Sequence, residues 1–383
     1  MVITQFEPNQ AASGRELLVR SGRVIALRLF DLAYEIDLKR AEELWAAGAR
    51  SASARARLAA TPAKAVSFGV PPLALELAPV SVRIDQTDMI AGVTVRLYDF
   101  GIAAIALRLS ANDLHWGALT RLAIQTDLAL GPVAPTAIWD DVLRQLRMVL
   151  GEALVRATAV PLQEDYLITV VNRFDESVTA TELQERADLV PLLSGEETPL
   201  SEGSRRDLLR LRFSYRPDDL VAVAWDRAFI YEPRGDADVA DVLEIANAQL
   251  LEMRSYDEML DAELPRMRGM VEAARRRADP LAARRYARLA RSLHTLVAEV
   301  TEITERVDNA LQVTEDVYLA RVYAAAIDLF RVPIVTVAVE RKLSIIRATY
   351  TALHEEAAGA RAEMLEIAIL ALIAIEIILS FLR

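Results

Sequence analysis

The chain has 383 residues, of which 53% are hydrophobic and 26% are charged, and its formal net charge is −11. This length predicts two domains, with three as the alternative, and the charged share argues against a protein with many membrane spans. The acidic balance predicts that nucleic acid and anionic lipid repel the molecule as a whole, unless it carries a local basic patch. Because there is no cysteine, a disulfide framework and thiolate metal sites are excluded. The first residues lack a basic segment followed by an apolar one, so we expect no secretory signal.

Residues 1–235 are predicted to form a mixed α+β globular domain, because segments with period-two alternation are interleaved with helical segments. The predicted strands are 23–30, 77–84, 93–98, 102–109, 166–171 and a pair at 208–215 and 220–231. The predicted helices are 37–58, 114–126, 137–158 and 181–193, with loops at 61–72 and 131–136. The fragments Arg28–Asp31 and Arg96–Asp99 share the pattern Arg-Leu-aromatic-Asp. An internal βα repeat is one interpretation of that likeness, and chance similarity between two strands is the favoured one.

Residues 236–364 are predicted to form a helical stalk without strands. Apolar residues recur there at alternating spacings of three and four, which is typical of long helices in a coiled coil or bundle. Pro280 is expected to separate the first two long helices, so the tip of a hairpin is predicted near 279–280. Pro333 marks the start of the last helix, and Pro265 is expected to kink the first.

The segment 365–382 is predicted to be a transmembrane or hydrophobic anchor helix. At about 1.5 Å per residue it extends roughly 27 Å, close to the ~30 Å of a hydrocarbon core. Its large apolar side chains contribute roughly −4 to −7 kcal/mol to insertion, whereas an acid near the centre, here Glu376, costs about +3 kcal/mol. The alternative is a buried core helix, which Glu376 favours because acids inside membranes are rare.

The position of this anchor also predicts the location of the protein. Since only Arg383 follows the segment, we expect a single-pass membrane protein with the bulk of the chain in the cytoplasm. The polar side chains of the anchor fall on one stripe, which predicts lateral association into a homo-oligomer. The anchor and association residues are Leu365, Glu366, Ile369, Ile373, Glu376 and Ser380.

A group of arginines between Arg266 and Arg291 surrounds the predicted hairpin tip. One interpretation is an anion-binding tip for RNA, the ribosome or an anionic lipid surface. The other, which is favoured, is a solvated tip paired with nearby acids. The residues at the centre of the group are Arg275, Arg276, Arg277, Arg284 and Arg285.

The motifs that commonly carry catalysis or cofactor binding are missing from the sequence. It has no Gly-x-Gly or Gly-Lys phosphate loop, no Gly-x-Ser-x-Gly elbow, and three histidines without ligand spacing. Asp236, Asp238, Asp241 and Glu244 lack the central glycine of a calcium loop. They are better explained as an acidic first turn at the positive end of a helix dipole. We therefore expect no catalytic residue, cofactor or metal.

The expected function is that of a membrane-tethered scaffold or adaptor, which acts by self-assembly and partner binding. The rival interpretation is an enzyme whose site in the N-terminal domain has no recognisable motif. The arbitrary candidates for such a site are Asp99, Asp140, Asp141 and Arg227.

Three short patterns in the C-terminal part carry a resemblance to a known family. They are the Leu365-Glu366 pair, the Ile375-Glu376-Ile377 triplet and the Lys342-Leu343 pair. With them, residues 310–383 resemble the family called "required for meiotic nuclear division", as a divergent bacterial member with Thr314 where the family usually has tryptophan. The resemblance implies a membrane protein, since mitochondrial relatives are membrane proteins that support organellar translation. It implies no catalytic residue.

Overall fold

The computed structural model describes residues 16–48, 71–275 and 316–381, together with residues 291, 294, 295 and 298. The chain divides into two compact units. One, the sheet unit, comprises Met1–Ala248 with Val313–Phe330, and the other, the helical unit, comprises Gln249–Gln312 with Arg331–Arg383. These divisions differ from the boundaries expected at residues 235 and 364, because the first turns of a long helix pack on the sheet.

The sheet unit contains a nine-stranded, mostly antiparallel sheet with the order β3-β4-β5-β1-β8-β11-β10-β9, to which β6 adds by pairing with β1. The one parallel pair in the described sheet joins β8 and β11. The short strands β2 and β7 form a separate pair. The strands are β1 (Leu18–Asp31), β2 (Ala33–Ile36), β3 (Leu73–Ile84), β4 (Thr87–Leu97), β5 (Ile102–Ser110), β6 (Leu114–His115), β7 (Leu154–Ala157), β8 (Gln163–Phe174), β9 (Arg212–Phe213), β10 (Leu220–Val223) and β11 (Arg227–Tyr231).

Helices are spread along the described chain and are longest at its C-terminal end. The mixed α+β class with helices later in the chain is therefore confirmed. The helices are α1 (Leu38–Gly48), α2 (Trp116–Leu130), α3 (Ile138–Leu150), α4 (Ala180–Arg186), α5 (Val190–Ser194), α6 (Glu202–Leu208), α7 (Asp238–Arg275), α8 (Val317–Leu329) and α9 (Val332–Phe381).

Both faces of the central strand β1 are buried, each against different elements. Val24 and Ala26 belong to the core that includes α2 and α3. Because side chains alternate along a strand, Ile25 and Leu27 point to the opposite face. On that face the ring of Tyr166 in β8 packs edge-on against Phe330, at the end of α8. This second buried face is the one that carries the candidate site.

Three local predictions need correction. The helix expected over 137–158 ends at Leu150, after which a 3₁₀ turn leads into β7, and β7 pairs with β2. The helix expected over 181–193 is two helices, α4 and α5, and α4 begins with a capping box formed by Thr179 and Glu182. In the segment 208–215 only β9 is a strand, and α6 precedes it. The segment 220–231 is a hairpin of two strands.

The two fragments with the shared Arg-Leu-aromatic-Asp pattern do not begin equivalent βα units. Arg28 lies in β1, which is followed by β2 and then α1. Arg96 lies near the end of β4, which a tight turn at Gly101 connects directly to β5. The interpretation as an internal βα repeat is therefore wrong for the described elements.

The helical unit contains the rest of α7 and all of α9. Pro333 is the second residue of α9, as expected, and Pro265 lies inside the continuous helix α7. The Nζ atom of Lys342 in α9 lies 2.6 Å from an Oδ1 atom of both Asp257 and Asp261 in α7. This contact pairs the lysine of the Lys342-Leu343 pattern with two acids one helical turn apart.

The predicted anchor is helical as far as Phe381, and Leu382 lies outside the described residues. Among the described residues, no single helix is long and apolar enough to cross a bilayer. Taken together, Val317–Leu329 and Val332–Thr349 pass the same test by length and composition. The anchor therefore stays a prediction.

Candidate functional site

Three arginines from neighbouring strands lie on the same face of the sheet. In the β1–β5 pair, Arg23 is opposite Ser110, and Ile25 is opposite Arg108. In the β4–β5 pair, Arg96 is opposite Ala104. Since cross-strand partners share a face and every second residue returns to it, the three guanidinium groups project to the side that α7 covers.

Arg96 is paired with two acids of α7. Its Nη2 atom lies 2.6 Å from Asp241 Oδ1, and its Nη1 atom donates a hydrogen bond to Glu244 Oε2 at 3.1 Å. The two acids are three residues apart, so they face the same side of the helix. The hydroxyl of Tyr98 donates to the other oxygen of Glu244, Oε1, at 2.8 Å. The acids therefore have partners, as buried carboxylates require.

A cavity of about 300 Å³ lies beside this ion pair, between the sheet and the start of α7. We call it the arginine cavity. Its polar lining comes from the three arginines and the two acids, and the rest of its wall is apolar. The apolar lining residues are Ile25, Leu27, Ala106, Ile168, Ala237 and Ala240.

Two of the three arginines have no acidic partner among the described residues. Arg23 Nη1 donates to Asn172 Oδ1 at 3.0 Å, and Asn172 Nδ2 donates to the carbonyl oxygen of Glu232 at 2.9 Å. This chain of hydrogen bonds fixes the orientation of Arg23. Arg108 lines the cavity but keeps part of its side chain in solvent, and it makes neither a hydrogen bond nor an ion pair with the residues that the structure describes.

The pKa values of the three arginines are shifted in different directions, because only Arg96 is paired with acids. Burial lowers the pKa of Arg23, and the positive charge of Arg108 lowers it further. Burial likewise lowers the pKa of Arg108, and Arg96 adds to this effect. Burial also acts against the charge of Arg96, but Glu244 and Asp241 outweigh it and raise its pKa. The cavity thus holds one arginine in a direct ion pair and two arginines on which the nearby acids act without direct contact.

The residues suggested for an enzyme are not brought together. Asp99 accepts a hydrogen bond from the backbone of Phe100, and Asp141 pairs with Arg144 on the surface of α3. Arg227 is buried and pairs with Asp127 Oδ2 at 2.7 Å. Neither these residues nor Asp140 lines the arginine cavity. No group of three metal-ligating side chains occurs in the described part of the chain.

The predicted association and tip residues have mostly undescribed side chains. Glu366, Ile369 and Ile373 are exposed on α9. The side chains of the other association residues, Leu365, Glu376 and Ser380, lie outside the described part, as does that of Arg275. The remaining tip arginines, Arg276, Arg277, Arg284 and Arg285, and the predicted tip near 279–280 lie wholly outside the described residues.

Comparison with known proteins gives a family for the sheet unit. The model of the family described as "Uncharacterized protein MJ0711, N-terminal domain" matches residues 21–238, which is more than half of the chain. The chain belongs to this family. A relative, "Uncharacterized protein MJ0711" of Methanocaldococcus jannaschii, is 25% identical over 198 residues, a match that covers 51% of this chain and 60% of the relative. No solved structure matches.

The MJ0711 N-terminal domain match includes the sheet and ends where α7 begins. Arg23, Arg96 and Arg108 lie inside the matched range, whereas Asp241 and Glu244 lie just beyond it. The cationic part of the cavity thus comes from the family domain, and its acids come from the helix that follows. The match ends at Asp238.

Asp238 is the first residue of α7 and lies close to other acidic residues. Burial, followed by repulsion from Asp236 and Asp241, raises its pKa from 3.8 to about 6. The folded state therefore binds a proton more tightly than the unfolded state, so this group makes the protein more stable as the pH falls from about 7 to about 4. A shift of two units corresponds to about 3 kcal/mol, which partial exposure reduces to about 1 kcal/mol.

Asp238→Asn is expected to stabilise the sheet unit by about 1 kcal/mol at pH 7 and to have no effect at pH 4. Urea unfolding of both proteins at the two pH values measures the difference. Asp140→Asn is the matched control, since Asp140 is an exposed acid in the first turn of α3. Equal effects of Asp238→Asn at both pH values would contradict the prediction.

Proposed function

We propose that this protein is a membrane-tethered scaffold or adaptor that works by self-assembly and partner binding. One observation carries the proposal: apolar side chains near the end of α9 are exposed. Five of them have exposed fractions between 48% and 65%: Ile369, Leu370, Leu372, Ile373 and Ile375. At 100° per residue these positions cover more than half of the circumference of the helix. Exposed apolar surface of this kind is typical of contact with lipid or with another protein.

The sequence supports the lipid interpretation. The run 365–382 has the length and composition of a membrane span, and its resemblance to the "required for meiotic nuclear division" family implies a membrane protein. In the proposed arrangement the bulk of the chain faces the cytoplasm. The polar stripe with Glu366 and Glu376 then favours contact between anchors, because acids in a membrane need partners. The proposed assembly is a homo-oligomer.

Removal of residues 365–383 is expected to release the protein from membranes. The whole chain should remain in the membrane pellet after an alkaline carbonate wash, and the shortened chain should be in the supernatant. Glu376→Leu is the matched control, because it keeps the apolar run and should stay in the pellet while self-association in detergent weakens. A whole chain in the supernatant, or a shortened chain in the pellet, would refute the tether.

A second candidate function, an enzyme with its site in the sheet unit, is favoured by the arginine cavity. It is a concave site with convergent polar groups, which is where active sites commonly lie. Contact of the basic tip with RNA, the ribosome or anionic lipid stays a prediction from the sequence alone. The proposed membrane tether requires neither an enzymatic site in the sheet unit nor anion binding at the basic tip.

A further inference from the structure

We propose that the arginine cavity binds a small molecule that carries a phosphate monoester. The site is independent of the tether, since all the residues that line it belong to the sheet unit. The proposal rests on three features of the cavity: the charge of its lining, the geometry of the arginines and the apolar part of its wall.

The charge of the lining favours an anion, because it holds three arginines and only two acids. Arg96 is occupied by Asp241 and Glu244, whose carboxylates it contacts at 2.6 and 3.1 Å. Arg23 and Arg108 remain without an acidic partner among the described residues. Two like charges held side by side at a partly buried site repel each other. An anion between them removes this repulsion and supplies the missing hydrogen-bond acceptors.

The geometry favours phosphate over carboxylate. A phosphate monoester carries close to two negative charges at pH 7 and offers three acceptor oxygens, which suits two guanidinium groups that lack an acidic partner among the described residues. Guanidinium binds such oxygens in a bidentate fork. Asn172 holds Arg23 through Nη1, so the rest of that guanidinium remains to donate to a ligand.

The wall and size of the cavity favour an organic ester over free phosphate. Ile25, Leu27 and Ile168 form an apolar surface beside the arginines. The volume of about 300 Å³ is at the small end of ligand pockets. It therefore has room for a phosphate group with a compact apolar body.

Calorimetric titration of the whole chain in detergent, at low salt and pH 7, tests the proposal. Phenyl phosphate is expected to bind, with Arg108→Gln and Arg23→Gln each weakening it at least tenfold. Arg173→Gln is the matched control, because Arg173 is an exposed arginine of β8 outside the cavity lining, and it should bind like the original protein. Ala240→Leu keeps every charge but fills the cavity, so it should also abolish binding.

Inorganic phosphate and benzoate distinguish the parts of the proposal. We expect both to bind at least tenfold more weakly than phenyl phosphate. Equal binding of inorganic phosphate would overturn the ester, and equal binding of benzoate would overturn the preference for phosphate. No binding of any probe, or equal binding by Arg108→Gln, would overturn the site. Fluorescence of the folded variants confirms that lost binding is not lost folding. These outcomes do not depend on membrane association, which the carbonate wash measures separately.

Discussion

Arg96→Leu is expected to lower the free energy of unfolding of the sheet unit by about 3–5 kcal/mol, because it leaves two buried carboxylates without their cation. The side chains of Asp241 and Glu244 are only 11% and 10% exposed. Tyr98 still donates to Glu244 in the variant, but a neutral donor does not balance the charge. The substitution therefore weakens the packing of the start of α7 on the sheet.

Tryptophan fluorescence during urea unfolding reports this effect for the sheet unit. All four tryptophans, Trp45, Trp116, Trp139 and Trp225, belong to the sheet unit. The control variant adds Asp241→Asn and Glu244→Gln to Arg96→Leu. With the charges removed together, at least half of the lost stability should return. A loss below about 1 kcal/mol for the single variant would contradict a buried ion pair.

Gly101→Ala is expected to cost at least about 3 kcal/mol, or to prevent folding, because both backbone conformation and space exclude a side chain. Gly101 has a φ of 95°, a region that residues with a Cβ rarely adopt. A Cβ there would lie 1.8 Å from the carbonyl oxygen of Ala33. The backbone of Gly101 also accepts a hydrogen bond from Leu32 N at 3.0 Å, so the turn cannot move away freely.

Gly92→Ala in β4 is the matched control for this substitution. A Cβ at Gly92 would meet no atom within 4 Å, and alanine in a strand is favoured over glycine by roughly 0.5–1 kcal/mol. The control should therefore be neutral or stabilising in the same urea unfolding experiment. Similar losses in the free energy of unfolding for the two variants would contradict the prediction that the turn at Gly101 excludes a side chain.

The positions of the long strands along the chain could be predicted from the sequence. Which strands pair with each other in the sheet could not. The alternation in Arg23–Phe30 correctly indicated a strand, since one strand's pattern is local. Its place between β5 and β8 depends on pairing with residues far along the chain. The same limit explains β7: Leu154–Ala157 continues a helical pattern, but pairing with β2 makes it a strand.

The candidate site cannot be predicted from the sequence for the same physical reason. Asp241 and Glu244 were correctly placed in the first turns of a helix, where the helix dipole alone explains acids. Their partner Arg96 is 148 residues from Glu244, and no local spacing connects them. The useful signal is the arginines themselves: Arg96 and Arg108 each lie between two apolar residues of a strand. Charges at such positions need partners or ligands.

The central place of β1 has a consequence for synthesis of the protein. Among the described strands this one leaves the ribosome first, yet its two neighbours along the sheet are β5 and β8. Until Phe174 has emerged, β1 therefore has at least one edge of unpaired backbone groups, and such edges recruit other chains. Long-range pairing of this kind folds slowly. We therefore expect the nascent chain to pass through an interval in which it is prone to aggregate.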